Sequence, residues 1–344
     1  MKIRTVTGDV PAENIGRTLT HEHLLYTYPG GEYDHQSAFR LDDAVDRIAR
    51  ELEDGMEQCG YRTIVDMTPC EVGRHPELMK RVAERTGCNV IAVTGFFPES
   101  MGLPYWFKRQ TVDELADFYA RDITQGMVFA GTQTDIKAGA IKIATGQEGV
   151  NPKPSPVGAH GRRFSVHEDR LIRAAGRAQK RLGVCINTHT DPMDYTVTNP
   201  GIEQLEVIEE EGGDLSKVII GHAFVEPQSV EQIIDICKRG ANVQVDHLGI
   251  PWRHDTGDDL DGTMIDMMCE VADRGYLSQM TITYDRWFFN PRGPATADNP
   301  QLLNQKVGLA HLFDSFAPRL EQKGFRARDL ETILVDNPRR ILGF

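Results

Sequence analysis

The sequence predicts a (β/α)8 barrel of the TIM type, with residues 1–344 forming a single domain, and three observations predict it. Short apolar runs alternate with segments of helical periodicity, which implies a parallel sheet. Eight such runs occur, enough to close the sheet on itself. Seven of the eight end in a polar side chain able to bind a metal, and barrel enzymes build their sites at the C-terminal ends of the strands. A chain of 344 residues is long for one ordinary domain, yet barrels commonly exceed about 250.

The opening strand is Thr18-Leu19-Thr20, leading into His21-Glu22-His23. A helix over 41–58 follows from Leu41, Ala44, Val45, Ile48, Ala49, Leu52 and Met56 at helical spacing, with Gly60 as its stop signal. The second strand, Thr63-Ile64-Val65-Asp66, precedes a helix near 76–86 and the third strand, 89–93. A helix near 112–126 leads to Ala140-Ile141-Lys142-Ile143. Helices near 167–181, 201–211, 229–239 and 262–274 lead in turn to strands 184–187, 218–220, 242–245 and 280–283. Residues 144–165 and 249–262 read as long loops, which in compact domains are usually functional or mobile. The tail 327–342 predicts one or two closing helices around Pro338.

Composition narrows the function classes. Hydrophobic content of 40% and charged content of 26% fit a soluble globular chain. A net charge of -13 repels phosphate backbones and anionic lipid, so neither nucleic acid nor a membrane is the expected partner. No signal peptide and no apolar run of about 18 residues is visible. The six cysteines are scattered without a CxxC pair, which predicts buried reduced thiols and a cytoplasmic protein.

The strand ends carry the chemistry. Residues two apart in a strand face the same side, so His21 and His23 point into one volume. A cation there would find nitrogen ligands at about 2.0–2.1 Å. His189 and His222 end two later strands, and Asp285 ends the last. Lys142 lies between two isoleucines, where a lone ammonium is costly. Two answers stand open on the residues alone: carbamylation by CO₂ to an anionic ligand that bridges two metals, or an ion pair with Asp66 or Asp285. His247 is a candidate proton shuttle or a plain loop residue, and Asp66 is more simply structural. Trp252, Trp287, Phe288 and Phe289 wall an apolar pocket or pack within their loops. His35, His75, His160, His167, His254 and His311 fall away from the strand ends and are expected to be surface or structural residues. Two metals with an open position imply hydrolysis at a carbonyl or phosphoryl centre.

With these residues laid out, the chain resembles the phosphotriesterase family of the amidohydrolase superfamily. The matching stretches are Gly16-Arg17-Thr18-Leu19-Thr20-His21-Glu22-His23-Leu24, Thr94-Gly95-Phe96-Phe97, Ala138 to Ala144 around Lys142, Asn187-Thr188-His189-Thr190, Ile220-Gly221-His222 and Val335-Asp336-Asn337-Pro338. The resemblance implies two divalent ions, zinc first, with manganese, cobalt or iron as alternatives. It implies that His21, His23 and Asp285 hold the buried ion, His189 and His222 the exposed one, and carbamylated Lys142 bridges them. It also implies a small-molecule substrate and, by family analogy, a homodimer. The chain departs from the family in two places. Phe97 stands where lactonases of the family often carry tyrosine. His222 is followed by Ala223-Phe224-Val225-Glu226, so the usual carboxylate of the proton relay is missing. Asp246-His247 looks more like the phosphotriesterases than the lactonases. The expectation is a lactone or carboxylic-ester hydrolase, in which Asp285 takes the proton and His247 passes it on. The rivals are an amidase on an N-acyl molecule clamped by Arg253, Arg286 and Arg292, a phosphotriester hydrolase, and a non-catalytic binding barrel.

Overall fold

The structure is a computed structural model. It describes residues 1–147, 153–225, 227–249, 259–291 and 307–344. Trp252, Arg253, His254, Arg292 and Glu226, singled out above, lie outside the described residues.

The strands in chain order are β1 (Lys2–Thr5), β2 (Gly8–Pro11), β3 (Arg17–Leu25), β4 (Tyr61–Asp66), β5 (Asn89–Gly95), β6 (Val128–Phe129), β7 (Thr132–Gln133), β8 (Ala140–Ala144), β9 (Cys185–His189), β10 (Val218–Ile220), β11 (Asn242–Val245), β12 (Met280–Ile282) and β13 (Trp287–Phe289). The helices are α1 (Leu41–Cys59), α2 (Pro76–Thr86), α3 (Tyr105–Lys108), α4 (Val112–Thr124), α5 (Val166–Leu182), α6 (Pro200–Glu210), α7 (Val230–Lys238), α8 (Leu260–Val271), α9 (Ala317–Gln322), α10 (Ala327–Glu331) and α11 (Asn337–Leu342).

Nine strands form one parallel sheet in the order β12-β11-β10-β9-β8-β5-β4-β3-β13. β12 pairs with β11, and β13 pairs with β3 through Trp287 opposite His23. Between them, the Thr283 amide still donates to Val245 and the Asp285 amide to His21 at 3.0 Å. β12 and β13 are therefore two halves of one interrupted strand, and that strand closes an eight-stranded barrel. The expected (β/α)8 architecture is present.

The predicted helices begin and end within a few residues of the observed ones, because their caps are written locally. Gly60 ends α1 in the left-handed conformation, φ +73. Thr111 with Glu114, Ser165 with Glu168, and Ser229 with Gln232 form capping boxes that start α4, α5 and α7. The tail splits into α10 and α11 around a wide turn at Thr332–Asp336.

Alternation along each strand sorts its side chains. Ile64, Val90, Ala92, Ile141 and Ile143 pack outward against the helices. Val65, Ile91, Val93, Ala140, Cys185 and Ile219 face the lumen. The lower lumen is closed by Ile3, Ala12 and Ile15 from the N-terminal hairpin segment and by Ile341 and Leu342 of α11. The two chain ends pair there, Lys2 with Phe344, through reciprocal backbone hydrogen bonds at 3.1 and 2.9 Å.

Candidate metal centre

The upper end of the barrel is polar. The pairing register of β3 with β4 shifts between Leu19 and Glu22, and beyond that irregularity His21 and His23 both enter the lumen. Alternation in β8 puts Lys142 inside while its two isoleucine neighbours face out. Lys142 has no solvent exposure, and its Nζ lies 3.0 Å from Nε2 of His21. Nε2 of His23 is 3.2 Å from Asp285 Oδ1, and Nε2 of His21 is 3.9 Å from the same oxygen. The His189 ring sits 4.4 Å from that of His222, and His222 sits 5.3 Å from His21. All six expected ligand residues thus converge on one volume.

Three strand ends are bent to achieve this. His222, His247 and Asp285 hold left-handed backbones with φ +58, +62 and +56. Such conformations cost a non-glycine residue on the order of 1–2 kcal/mol and concentrate at functional sites. The turns aim each side chain back over the lumen.

His247 lies between two carboxylates. Its Nε2 is 3.0 Å from Asp285 Oδ2 and its Nδ1 is 3.1 Å from Asp246 Oδ1. Its ring stacks on His222 at 4.7 Å. Burial alone would lower its pKa, but Asp246 and then Asp285 raise it to about 10. Burial opposes ionisation of Asp285 too, yet His21, His23 and His247 hold its carboxyl well below the usual range. Burial, with Lys142 close by, pushes His21 and His189 well below the ordinary imidazole value. Both are therefore neutral, the form that binds a metal.

Sequence reasoning missed the groups that orient these side chains. Asp246 Oδ2 lies 3.1 Å from His222 Nδ1 and accepts from the His222 amide at 2.9 Å. Asp246 therefore touches both His222 and His247. The Gln244 amide nitrogen is 2.9 Å from His21 Nδ1 and 3.1 Å from Asp246. Thr68 is 2.8 Å from His23 Nδ1. Asp66 accepts from the Leu24 and Thr68 amides, which agrees with a structural role. The local signal was the spacing of Gln244, in β11, and Asp246, just past its end: two residues apart, they turn to the same side.

Two alternatives left open by the sequence are decided. Arg286 is not a substrate clamp. Its guanidinium turns away from the lumen, bonding Glu51 of α1 and the Val307 carbonyl. Phe288 and Phe289 pack into or against the outer core rather than lining a pocket. Trp287 does approach the centre. It stacks on Tyr26 at 3.7 Å, and Tyr26 lies edge-on to His23 at 5.3 Å. Phe97 completes that wall, 5.4 Å from His189 and 5.6 Å from Lys142 Nζ.

The donor set suits metal ions. His21, His23 and Asp285 offer ligand atoms within 4.8 Å of one another, as do His222, His247 and Asp285, and His21, His222 and Asp246. Imidazoles with a carboxylate match divalent first-row ions.

The phosphotriesterase family model matches residues 1–342. The chain belongs to the phosphotriesterase family. It is therefore a hydrolase from a family of binuclear metal enzymes that act on small molecules. It is similar to an aryldialkylphosphatase of Saccharolobus solfataricus, 28% identical over 99% of both chains. It is similar to an N-acetyltaurine hydrolase of Danio rerio, 22% identical over 100% of this chain and 98% of that one. The structure superposes on an organophosphorus hydrolase from Deinococcus radiodurans with a TM-score of 0.83 and 26% identity, covering 100% and 97% of the two chains. Among the described residues no helix is long and apolar enough to cross a membrane.

Proposed function

We propose that this family member cleaves a lactone or carboxylic ester at a binuclear centre formed by His21, His23, Lys142, His189, His222 and Asp285. The observation that carries the reading is the convergence of four imidazoles, a buried amine and a carboxylate under three strained strand ends. His21, His23 and Asp285 would hold one ion, and His189 and His222 the other. Lys142 would join them as a carbamate: the ammonium first loses a proton, the free amine adds to CO₂ with formation of an N–C bond, and a second proton leaves, so that the cation becomes an anion. That change removes the cost of an ammonium beside two metals.

Two divalent ions, zinc first, when bound supply an activated water near neutral pH and polarise the substrate's carbonyl oxygen. Asp285 would accept the proton released during attack, and His247, 3.0 Å away, would carry it on, the positive charge of the ions offsetting the pull of Asp246 and Asp285 on its pKa. Asp246 fixes the far nitrogen of that imidazole. The aromatic wall of Tyr26, Trp287 and Phe97 excludes water and packs the acyl or leaving group.

Amide hydrolysis is the second reading, favoured by the similarity to an N-acetyltaurine hydrolase. Its clamp cannot be Arg286, which points outward. Phosphotriester cleavage is expected as a side activity. The test is a panel of lactones, esters, N-acyl amino acids and organophosphates on metal-reconstituted protein grown with bicarbonate. Lactones or esters should give the highest kcat/KM, and Lys142→Ala and Asp285→Asn should abolish turnover. Near wild-type turnover in either variant defeats the mechanism, and preference for N-acyl substrates hands the assignment to the amidase.

A further inference from the structure

One carboxylate beside the metal centre has no part in the mechanism above. Glu22 lies between His21 and His23, has no solvent exposure, and by alternation turns away from both imidazoles. Its Oε1 accepts from the Thr283 hydroxyl at 2.5 Å and the Tyr284 amide at 2.9 Å. Its Oε2 accepts from the Arg286 amide at 2.6 Å. The two amides flank Asp285.

That placement answers a local problem. Asp285 interrupts the eighth strand in a left-handed conformation, φ +56. In an unbroken ladder the amides on either side would follow the regular pairing; at the break they need another acceptor. Buried backbone donors are rarely left unmade. Glu22 supplies both acceptors from one side chain. On the other side of the same turn, the Asp285 amide reaches the His21 carbonyl at 3.0 Å, and the His23 amide reaches the Arg286 carbonyl at 2.8 Å. β3 thus grips the turn from residues 21, 22 and 23 in succession.

We infer that Glu22 is a positioning residue for the metal centre. By holding the amides of Tyr284 and Arg286 it fixes the turn that aims the Asp285 carboxylate at His23 and His21. The inference rests on the metal reading proposed above. It assigns the HxH segment a third task, carried by the residue between its histidines, and explains why Asp285 keeps a conformation that glycine would adopt more readily.

The test compares wild type, Glu22→Leu and Glu22→Gln as full-length, metal-loaded protein. Metal content, the absorption spectrum of the cobalt-substituted form, kcat and KM are measured. Glu22→Leu should hold the ion of His21, His23 and Asp285 about tenfold less tightly, as expected for loss of a group that orients a ligand. Its cobalt spectrum should change, and kcat should fall while KM holds. Glu22→Gln keeps one acceptor oxygen but presents an N–H to a backbone donor, so it should lie between. If Glu22→Leu does not fold, Glu22→Gln carries the test. A folded variant with wild-type metal content, cobalt spectrum and kcat overturns the inference while leaving the metal reading intact. Wild-type protein that binds no metal sinks both.

Discussion

At the amino-terminal end of its strands the barrel is plugged by Ile3, Ala12, Ile15, Ile341 and Leu342; at the carboxyl-terminal end it is lined by His21, His23, Lys142, His189, His222 and Asp285. Both ends are buried, but by different means. The lower end removes apolar surface from water and asks little of geometry. The upper end buries ionisable groups, bends three strand ends into left-handed turns and needs a further set of side chains to hold the first. The difference assigns stability to one end and chemistry to the other. It predicts that damage at the two ends can be separated.

The largest separation should come from Asp246→Ala. Asp246 contacts both His222 and His247, so its loss releases one proposed ligand and the proposed proton carrier together. Metal retention should weaken by about 10–100-fold, with a fall in kcat, while the fold persists. Titration with a chelator and circular dichroism check this. Unchanged metal retention would remove Asp246 from the site. The reciprocal variant is Ile341→Ala, at the lower plug. It should cost about 2–5 kcal/mol of stability by leaving a cavity, yet leave kcat/KM unchanged below the melting transition. Activity that falls in step with stability would mean the two ends are not independent.

The elements legible in the sequence were those whose cause is local. Helix α1 is written in its own apolar spacing and its own terminal Gly60. The six ligand candidates were legible because five stand at the ends of runs that read as strands and Lys142 interrupts an apolar one, and the family resemblance ordered them. What escaped was set by residues distant in sequence. Asp246 reaches His222 only because β10 and β11 are neighbours in the sheet. Glu22 looks like an incidental residue between two histidines until the eighth strand, some 260 residues away, presents its amides. Arg286 adjoins Asp285 in sequence, but Glu51 and the Val307 carbonyl, both distant in the chain, hold its guanidinium. The lower plug needed the hairpin and α11 brought together, and neither segment announces the other.

The smallest predicted effect lies at the carboxyl-terminal end of the strands, in a carboxylate outside the metal centre. Glu168 in the first turn of α5 accepts from the Ser165 amide at 2.8 Å and from the Glu99 amide at 3.1 Å, so it ties the helix start to the loop after β5. Burial raises its pKa from the ordinary 4.5 to about 7, against the pull of those two amides. A carboxyl whose folded pKa is raised binds more protons in the folded state than in the unfolded state between pH 4.5 and 7. Its contribution to stability therefore falls as pH rises through that window and recovers as pH falls. Glu168→Gln cannot titrate, so the thermal midpoint of wild type relative to this variant should climb as pH drops from 7 toward 5. A difference that stays flat, or that shrinks on acidification, would show that Glu168 is ionised throughout and that the amides outweigh its burial. Because neither of its partners touches the metal-competent groups, metal content should be the same in both proteins across the series. That equality would mark this tie as part of the scaffold, on the same side of the comparison as Ile341.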